Sequence, residues 1–183
     1  MSIVITGNPG VGKHTVTKKI VQLKKFQILD INKIALEAGI YEKKDNTLDV
    51  DVSKLKKILK NKVTEKSLIV GHLAPYVLTK SQVTKVIILR KSPYKLASIY
   101  KKRKYPSKKI KENLESEILG IITNDAIKKF GKTKTYQIDT TLDSISKTVK
   151  RILKILDGKI EDDEIDWLEL ISKKNDLRKF FSY

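Results

Sequence analysis

A glycine-rich loop near the amino end constrains the fold of this chain more than any other feature. The loop runs from Gly7 to Lys13 with the sequence Gly-Asn-Pro-Gly-Val-Gly-Lys, and the apolar residues 3–6 come directly before it. Residues 12–24 that follow have the pattern of a helix. Glycines let backbone amides approach phosphate oxygens, and a helix amino terminus adds positive potential there. The order of strand, loop, lysine and helix therefore predicts a phosphate-binding loop that holds a nucleoside triphosphate.

Residues at the end of this loop have separate predicted roles. The backbone amides of four residues are expected to surround the phosphates of ATP: Gly10, Gly12, His14 and Thr15. Lys13 would neutralise the β- and γ-phosphates as a catalytic residue. A strict loop of this class has Ser or Thr directly after the lysine to bind Mg²⁺, and here that position is His14. The metal-binding role is therefore assigned to Thr15, and His14 offers either its backbone amide alone or a pH-sensitive imidazole.

Short apolar runs alternate with longer amphipathic stretches along the chain. This alternation predicts an α/β protein with the P-loop NTPase fold, in which helices flank a five-stranded parallel sheet. The predicted strands are residues 3–6, 27–31, 68–70, 85–89 and 135–138. The predicted helices are residues 12–24, 52–62, 93–103, 110–130 and 142–156.

Length and residue usage favour one domain with one kind of site. A chain of 183 residues with 40% hydrophobic content suits a single core. It has no cysteine and two histidines, which excludes disulfides and argues against a zinc site. The chain begins without a secretory signal and contains no apolar run of about 20 residues. We expect a soluble, cytoplasmic monomer with no membrane partner.

The formal net charge of +18 indicates an acidic partner such as RNA, nucleotide or a phosphate-rich assembly. Only four of the 39 basic residues are arginine, so a lysine-rich proteome explains the charge equally well. Both explanations stay open at the level of sequence.

Two stretches interrupt the alternation of strands and helices, at residues 32–50 and 101–109. Both follow segments that end near the carboxyl edge of the predicted sheet, where ligands of open α/β folds bind. They are candidate substrate flaps. After residue 157 the composition changes to an acidic cluster at 161–164 followed by apolar residues, which predicts an amphipathic helix docked on the domain.

Several further motifs occur in a fixed order along the chain. They are residues 7–15, Gly39-Ile40-Tyr41 with 48–52, Gly71-His72-Leu73, 86–90 with Ser92-Pro93, Arg103-Lys104-Tyr105 with 108–110, and 112–118. In these motifs the chain resembles the adenylate kinase isoenzyme 6 family in its archaeal form. The resemblance implies a nucleoside monophosphate kinase-like domain at 1–156, with a monophosphate-binding flap at about 30–52 and a short lid at about 102–112. Residues 157–183 form a C-terminal extension.

The resemblance also implies a function. It indicates a broad-specificity nucleoside monophosphate (adenylate) kinase that converts ATP and AMP to two ADP with Mg²⁺, and that also hydrolyses ATP. Family members are linked to small-subunit rRNA maturation, which implies a small-subunit ribosomal protein and pre-rRNA as partners besides AMP or another monophosphate. The alternative is an ATP-hydrolysing ribosome assembly factor with little kinase turnover. A third possibility is a nucleotide-gated RNA-binding module.

Two catalytic assignments depend on the family resemblance. Arg103 matches the family's nucleotide-contacting arginine at the lid, where it would stabilise charge on the transferring phosphate. His72 lies two positions after Val70, where the family has an acidic residue that orients Mg²⁺. His72 would orient water or an outer-shell ligand, or it is a structural histidine. With Ile99 in place of a frequent arginine, these departures indicate a weakened catalyst.

Three residues are predicted to contact the acceptor. Arg90, at a strand end, offers two parallel donors to the phosphate of the monophosphate. Asp49 and Asp51 lie in a short alternating run that either faces the monophosphate site or caps a turn.

Overall fold

The computed structural model describes residues 2–44 and 47–181. In chain order the strands are β1 (Ile3–Thr6), β2 (Gln27–Asp30), β3 (Tyr41–Lys44), β4 (Thr47–Val50), β5 (Ser67–Val70), β6 (Lys85–Arg90) and β7 (Thr135–Asp139). The α-helices are α1 (Lys13–Leu23), α2 (Ile31–Glu37), α3 (Val52–Lys62), α4 (Ala74–Val77), α5 (Pro93–Lys102), α6 (Ser107–Ile118), α7 (Ile121–Phe130), α8 (Ile145–Leu156), α9 (Trp167–Lys173) and α10 (Leu177–Phe180).

Five strands form one parallel sheet in the order β2-β5-β1-β6-β7, which confirms the predicted fold class. β1 lies at the centre, where Ile3 pairs with Leu68 of β5 on one side and Lys85 of β6 on the other. The loop after β1 therefore leaves the carboxyl edge at the middle of the sheet. This is the position where open α/β folds bind ligands.

Helices cover both faces of the sheet because its strands are apolar on both sides. Ile3 and Ile5 belong to an apolar cluster with α1, α5, α6 and α8, whereas Val4 belongs to a second cluster with α2, α3, α4 and α7. Alternate side chains of a strand point to opposite faces, so one short strand contributes to both clusters.

The prediction of one continuous helix at residues 110–130 is wrong. Two helices, α6 and α7, occupy this stretch, and Gly120 joins them with a φ of 62°. Glycine adopts this left-handed conformation at little cost, and it commonly ends a helix. The helical periodicity on both sides of Gly120 hid the break.

Residues 30–52 are more ordered than a simple loop. They contain α2 and an antiparallel hairpin of β3 and β4, which forms a two-stranded sheet separate from the main one. The carboxylate of Asp30 caps α2 by accepting hydrogen bonds from the amides of Asn32 and Lys33. This segment, the predicted flap, covers one side of the carboxyl edge.

The C-terminal extension contains two short helices, α9 and α10, rather than one. Trp167, Ile171 and Phe180 are buried and join the apolar cluster that includes Leu114 and Ile118 of α6. No helix within residues 2–44 and 47–181 is long and apolar enough to span a membrane.

Candidate nucleotide-binding site

The glycine-rich loop connects β1 to α1 and has a backbone that only glycine adopts easily. Gly7, Gly10 and Gly12 have φ angles of 136°, 89° and 100°. A Cβ atom at Gly7 would lie 2.3 Å from the carbonyl oxygen of Leu89, so no other residue fits there. The loop is thus shaped to present its amides at the amino end of α1.

Lys13 is the first residue of α1, and its side chain is only 6% exposed. Its Nζ donates a hydrogen bond of 3.2 Å to the carbonyl oxygen of Asn8 within the same loop. Burial and the nearby Arg103 lower the pKa of Lys13 to about 8, although Asp30 and Glu117 oppose this shift. A phosphate beside Nζ would favour the ammonium form, which couples protonation to anion binding.

His14 and Thr15 follow on the first turn of α1, and both line the cleft described below. The Nδ1 atom of His14 lies 3.2 Å from a carboxylate oxygen of Asp30. Burial would raise the pKa of Asp30, but hydrogen bonds from His14 and the Lys33 amide outweigh it, and this pKa is lowered. The imidazole thus links the first turn of α1 to the start of α2.

A cleft of about 870 Å³ opens at the carboxyl edge of the sheet, and the phosphate loop forms its floor. Arg103, Tyr105 and Lys109 line one wall from the lid side. Apolar and aromatic residues also line the cleft, namely Ala35, Leu36, Tyr41, Val50, Val52, Leu73, Tyr76, Ile121 and Ile122, beside the polar Asn32, Asp49, Glu112, Asn113 and Ser116. The cleft therefore combines the phosphate loop with a lining that is partly apolar and aromatic.

His72 lies in this cleft after the carboxyl end of β5. Burial, together with the positive charges of Lys13 and Lys109, lowers the pKa of His72 to about 4. The imidazole is therefore neutral at pH 7 and can donate or accept a hydrogen bond. Val70, two positions earlier, is fully buried in β5, so this strand end offers no carboxylate.

The donor atoms for a divalent cation are few. No group of three or more His, Asp or Glu side chains that could hold a metal occurs in the described part of the chain. Thr15, on the first turn of α1, lines the cleft and carries a hydroxyl donor. This donor set fits Mg²⁺ that arrives with a triphosphate and keeps most of its waters.

The lid is joined to the phosphate loop by aromatic contacts. Arg103 ends α5 as its C-cap, and Tyr105 stacks on Tyr100 with ring centroids 5.5 Å apart. The hydroxyl of Tyr100 donates a hydrogen bond of 2.7 Å to the carbonyl oxygen of Pro9. Ile99 packs beside Gly10: a Cβ atom added at Gly10 would lie 3.3 Å from the Cγ2 atom of Ile99. Ile99, which stands where the family frequently has an arginine, thus supports the phosphate loop by packing against it.

Arg90 does not lie in the cleft, and this placement conflicts with its predicted contact to the acceptor phosphate. Its side chain is only 4% exposed. The guanidinium donates to the carboxylate and the carbonyl oxygen of Glu117, each at 2.7 Å, and to Gln137 and Thr123 at 2.7 and 3.1 Å. All three guanidinium nitrogens thus donate to groups within the fold, which indicates a structural role.

The two acidic residues of the hairpin have different positions. Asp49 is exposed and lines the cleft. Asp51 lies at the amino end of α3, where its carboxylate accepts a hydrogen bond of 2.9 Å from the amide of Lys54. Of the two roles considered for Asp51, the structure shows helix capping.

Sequence reasoning missed Glu117 and Asn8. Glu117 is 1% exposed and accepts hydrogen bonds from Arg90, Asn8, Trp167 and the amide of Lys91. One signal was available, because Glu117 falls at helical spacing beside the apolar positions 114 and 118. A carboxylate on the buried stripe of a helix requires partners, which the sequence does not name.

The central parallel sheet, the phosphate loop and the buried Lys13 define a protein with the fold of P-loop kinases. Shikimate kinase from Aquifex aeolicus shares this fold with a TM-score of 0.58 and 19% identity, over 86% of this chain and 97% of that one. Deoxyadenosine kinase from M. mycoides matches with a TM-score of 0.58 and 16% identity, over 87% of this chain and 100% of that one. At these identities the likeness concerns the fold alone.

Sequence relatives identify the family more narrowly. Residues 3–120 match the family described as AAA domain. A protein from Methanococcus maripaludis with the name "Putative adenylate kinase" is 34% identical over 178 residues, which cover 92% of this chain and 96% of that protein. A protein of the same name from Thermococcus kodakarensis is 31% identical over 181 residues, which cover 93% of this chain and 100% of that protein. The chain belongs to this family of archaeal adenylate kinase relatives, as its motifs predicted.

Proposed function

We propose that this protein is a nucleoside monophosphate kinase that transfers the γ-phosphoryl group of ATP to AMP or a similar monophosphate. The observation that carries the proposal is that one cleft is lined by the phosphate loop, the flap, the lid and the start of α7. A protein that only hydrolyses ATP needs the phosphate loop but not the apolar residues of the flap and α7. Membership of the family supports a phosphotransferase that acts on nucleotides.

The donor end binds ATP through the backbone amides of Gly10, Gly12, His14 and Thr15. Lys13 approaches the β- and γ-phosphates when its Nζ exchanges the Asn8 carbonyl for phosphate oxygens. Bound Mg²⁺, held by Thr15 and the phosphates, would supply charge neutralisation. Phosphoryl transfer depends mainly on positioning and on stabilising charge, so these contacts are what the reaction requires.

The acceptor end suits a nucleotide base. Tyr41, Leu73, Tyr76 and Ile121 offer flat or apolar surfaces on which a base can pack, and Asp49 lies at the edge as a hydrogen-bond acceptor. Base–aromatic contacts tolerate different bases, which is consistent with broad specificity. With Arg90 bonded inside the fold, the cationic groups near the acceptor phosphate are Arg103 and Lys109 of the lid.

Two residues would act on the reacting phosphate. Arg103 closes from the lid and stabilises the negative charge that develops during transfer. His72, neutral at pH 7, orients a water molecule or the acceptor phosphate by a hydrogen bond without adding charge. Closure of the lid over the cleft excludes water, which limits hydrolysis of ATP.

The alternative function is an ATP-hydrolysing assembly factor for the small ribosomal subunit, acting with a ribosomal protein and pre-rRNA. Two observations favour it: Val70 and Ile99 replace charged groups that the family resemblance leads one to expect, and the net charge of +18 suits an RNA-rich partner. ATPase activity beside kinase activity fits both functions.

A coupled assay of ADP formation with and without AMP tests the proposal. We expect an AMP-dependent rate that Lys13→Ala abolishes and that Lys18→Ala, an exposed lysine on the same helix, leaves unchanged. Slow ADP formation that ignores AMP would contradict the kinase and support the assembly ATPase.

A further inference from the structure

The C-terminal extension is connected to the phosphate loop by a chain of buried hydrogen bonds. The indole Nε1 of Trp167 donates to Oε1 of Glu117 at 3.0 Å, and the side-chain amide of Asn8 donates to Oε2 of the same carboxylate at 2.7 Å. The backbone carbonyl oxygen of Asn8 in turn accepts a hydrogen bond from Nζ of Lys13. These four residues are at most 8% exposed. Three hydrogen bonds in sequence thus connect Trp167 of α9 to Lys13 of the phosphate loop.

The Glu117 carboxylate is held in one orientation. Its Oε1 accepts from Nε of Arg90 at 2.7 Å and from the amide of Lys91 at 3.1 Å, besides the bond from Trp167. Its Oε2 is left for Asn8. A buried charged network of this kind has few alternative arrangements, because each unpaired group would be costly in the low dielectric.

The indole is held as firmly as the carboxylate. Asp166 caps α9 by accepting from the amide of Glu169 at 2.8 Å, and Trp167 packs in the apolar cluster with Ile171. Farther along the tail, Asp176 accepts a hydrogen bond of 2.6 Å from the hydroxyl of Tyr94 on α5. The tail is docked at several places, since Glu161 and Asp163 also pair with Arg151 of α8, and the hydrogen bond that reaches Glu117 comes from Trp167.

We propose that Trp167 is a positioning residue of the ATP site. By donating to Oε1 it orients the Glu117 carboxylate so that Oε2 faces Asn8, and Asn8 then holds the loop in the shape that receives phosphate. The C-terminal extension is on this account a part of the nucleotide site. The inference rests on the proposed binding of ATP by this loop.

The test compares ATP affinity and melting temperature in the wild-type protein and two variants, by calorimetry with Mg²⁺. Trp167→Phe retains an aromatic ring in the core but removes the indole donor. Tyr94→Phe removes a tail hydrogen bond that does not reach Glu117, and it serves as the matched control. We expect Trp167→Phe to weaken ATP binding about threefold to tenfold, the size of one typical hydrogen bond, with wild-type affinity in Tyr94→Phe.

Equal ATP affinity in wild type and Trp167→Phe would overturn the inference, as would an equal loss in both variants, since the tail would then act through stability alone. If the wild-type protein binds no ATP, the proposed function itself fails.

Trp167 is the only tryptophan of the chain, so its fluorescence provides a second test that does not need Trp167→Phe to fold. Saturating ATP is expected to change the emission of the wild-type protein, and Asn8→Ala is expected to abolish the change. Emission that ignores ATP in the wild type, or that responds equally in Asn8→Ala, would overturn the proposed connection.

Discussion

At the scale of single residues, the candidate site depends on charges that the fold holds away from water. Lys13 is buried near Arg103, and His72 is partly buried near Lys13 and Lys109. Both side chains have lowered pKa values, first because burial disfavours the protonated form and second because that form adds positive charge to a site that is already positive. A bound triphosphate would neutralise this excess positive charge, so the positive site of the free protein favours binding of an anion.

ATP binding should take up protons at alkaline pH. In the free protein Lys13 loses its proton as pH rises through about 8, whereas phosphate keeps it charged in the complex. Affinity for ATP should therefore fall above pH 8, by at most about tenfold per pH unit. Calorimetry at pH 9 in buffers of different ionisation enthalpy should detect an uptake approaching one proton.

Lys13→Arg is the informative variant, since arginine stays charged throughout this range. It should bind ATP without linked proton uptake, whereas Lys18→Ala should behave as the wild type does. Binding by the wild-type protein without proton uptake at pH 9 would contradict the account.

The lowered pKa of His72 should make folding stability depend on mildly acidic pH. The unfolded chain binds a proton near the ordinary histidine value of about 6.5, whereas the folded protein does so only near 4. The unfolded state thus holds more protons between these values, and stability contributed by neutral His72 is lost as pH falls from about 6.5 to 4. The loss should be on the order of 2–3 kcal/mol.

Urea denaturation of the wild type and of His72→Asn at pH 7 and pH 4.5 measures this contribution. The variant should lose less stability on acidification than the wild type does. An equal loss in both proteins would show that His72 does not have the lowered pKa.

At the scale of elements, residues 30–52 and the lid enclose the cleft from opposite sides. The flap is a helix and a hairpin stabilised by local caps at Asp30 and Asp51. The lid is a tight turn in which Lys104 has a φ of 55°, and Tyr105 stacks back on α5. Each cover is thus a short element anchored at its ends, which suits opening and closing about fixed points.

Asp51 should affect stability and not nucleotide affinity, because its carboxylate caps α3 and does not line the cleft. Asp51→Ala should lower the melting temperature by about 2–4 °C. Asp51→Asn keeps a capping oxygen and should melt close to the wild type. A loss of AMP or ATP affinity in both variants, measured by calorimetry, would instead indicate contact with substrate.

Arg103 should affect turnover far more than ATP affinity, because it reaches the cleft from the lid. Arg103→Ala is expected to lower kcat for AMP phosphorylation by roughly a hundredfold or more. The neighbouring Lys102→Ala, an exposed lysine that does not line the cleft, is the control. Similar kcat values for the two variants in a steady-state assay would exclude a catalytic role for Arg103.

The elements that were predicted correctly are those that a short stretch of sequence specifies by itself. The main strands, the phosphate loop and α1 follow from short apolar runs and glycine spacing, and they agree with the structure within a few residues. The break between α6 and α7 was missed because a single glycine in a long periodic stretch does not by itself end a helix. Two short strands and α2 within the flap lack a clear apolar pattern, and their order depends on tertiary contacts.

The same distinction holds for the site. Lys13, His14, Thr15 and Arg103 were predicted from motifs, and all four line the cleft. Arg90 was misassigned because a strand-end arginine looks the same in sequence whether it meets a ligand or a buried glutamate. The network of Glu117, Asn8 and Trp167 joins three distant parts of the chain, which no local pattern connects.

At the scale of the whole molecule, one cleft joins the centre of the sheet, the flap, the lid and, through Glu117, the C-terminal extension. The chain folds so that its first loop and its last helices meet near α6. A nucleotide in the cleft would contact the flap and the lid together. This arrangement is what two-substrate phosphoryl transfer needs, because both phosphates must be aligned before the site closes.

Tracing the γ-phosphoryl group tests this account most directly. The wild-type protein would be incubated with Mg²⁺, AMP and ATP labelled at the γ-phosphorus, and the products separated. The account predicts that most of the transferred label is found in ADP formed from AMP, and that Lys13→Ala abolishes this transfer. Label released as inorganic phosphate, at a rate that AMP does not change, would contradict the kinase and identify the protein as an ATPase.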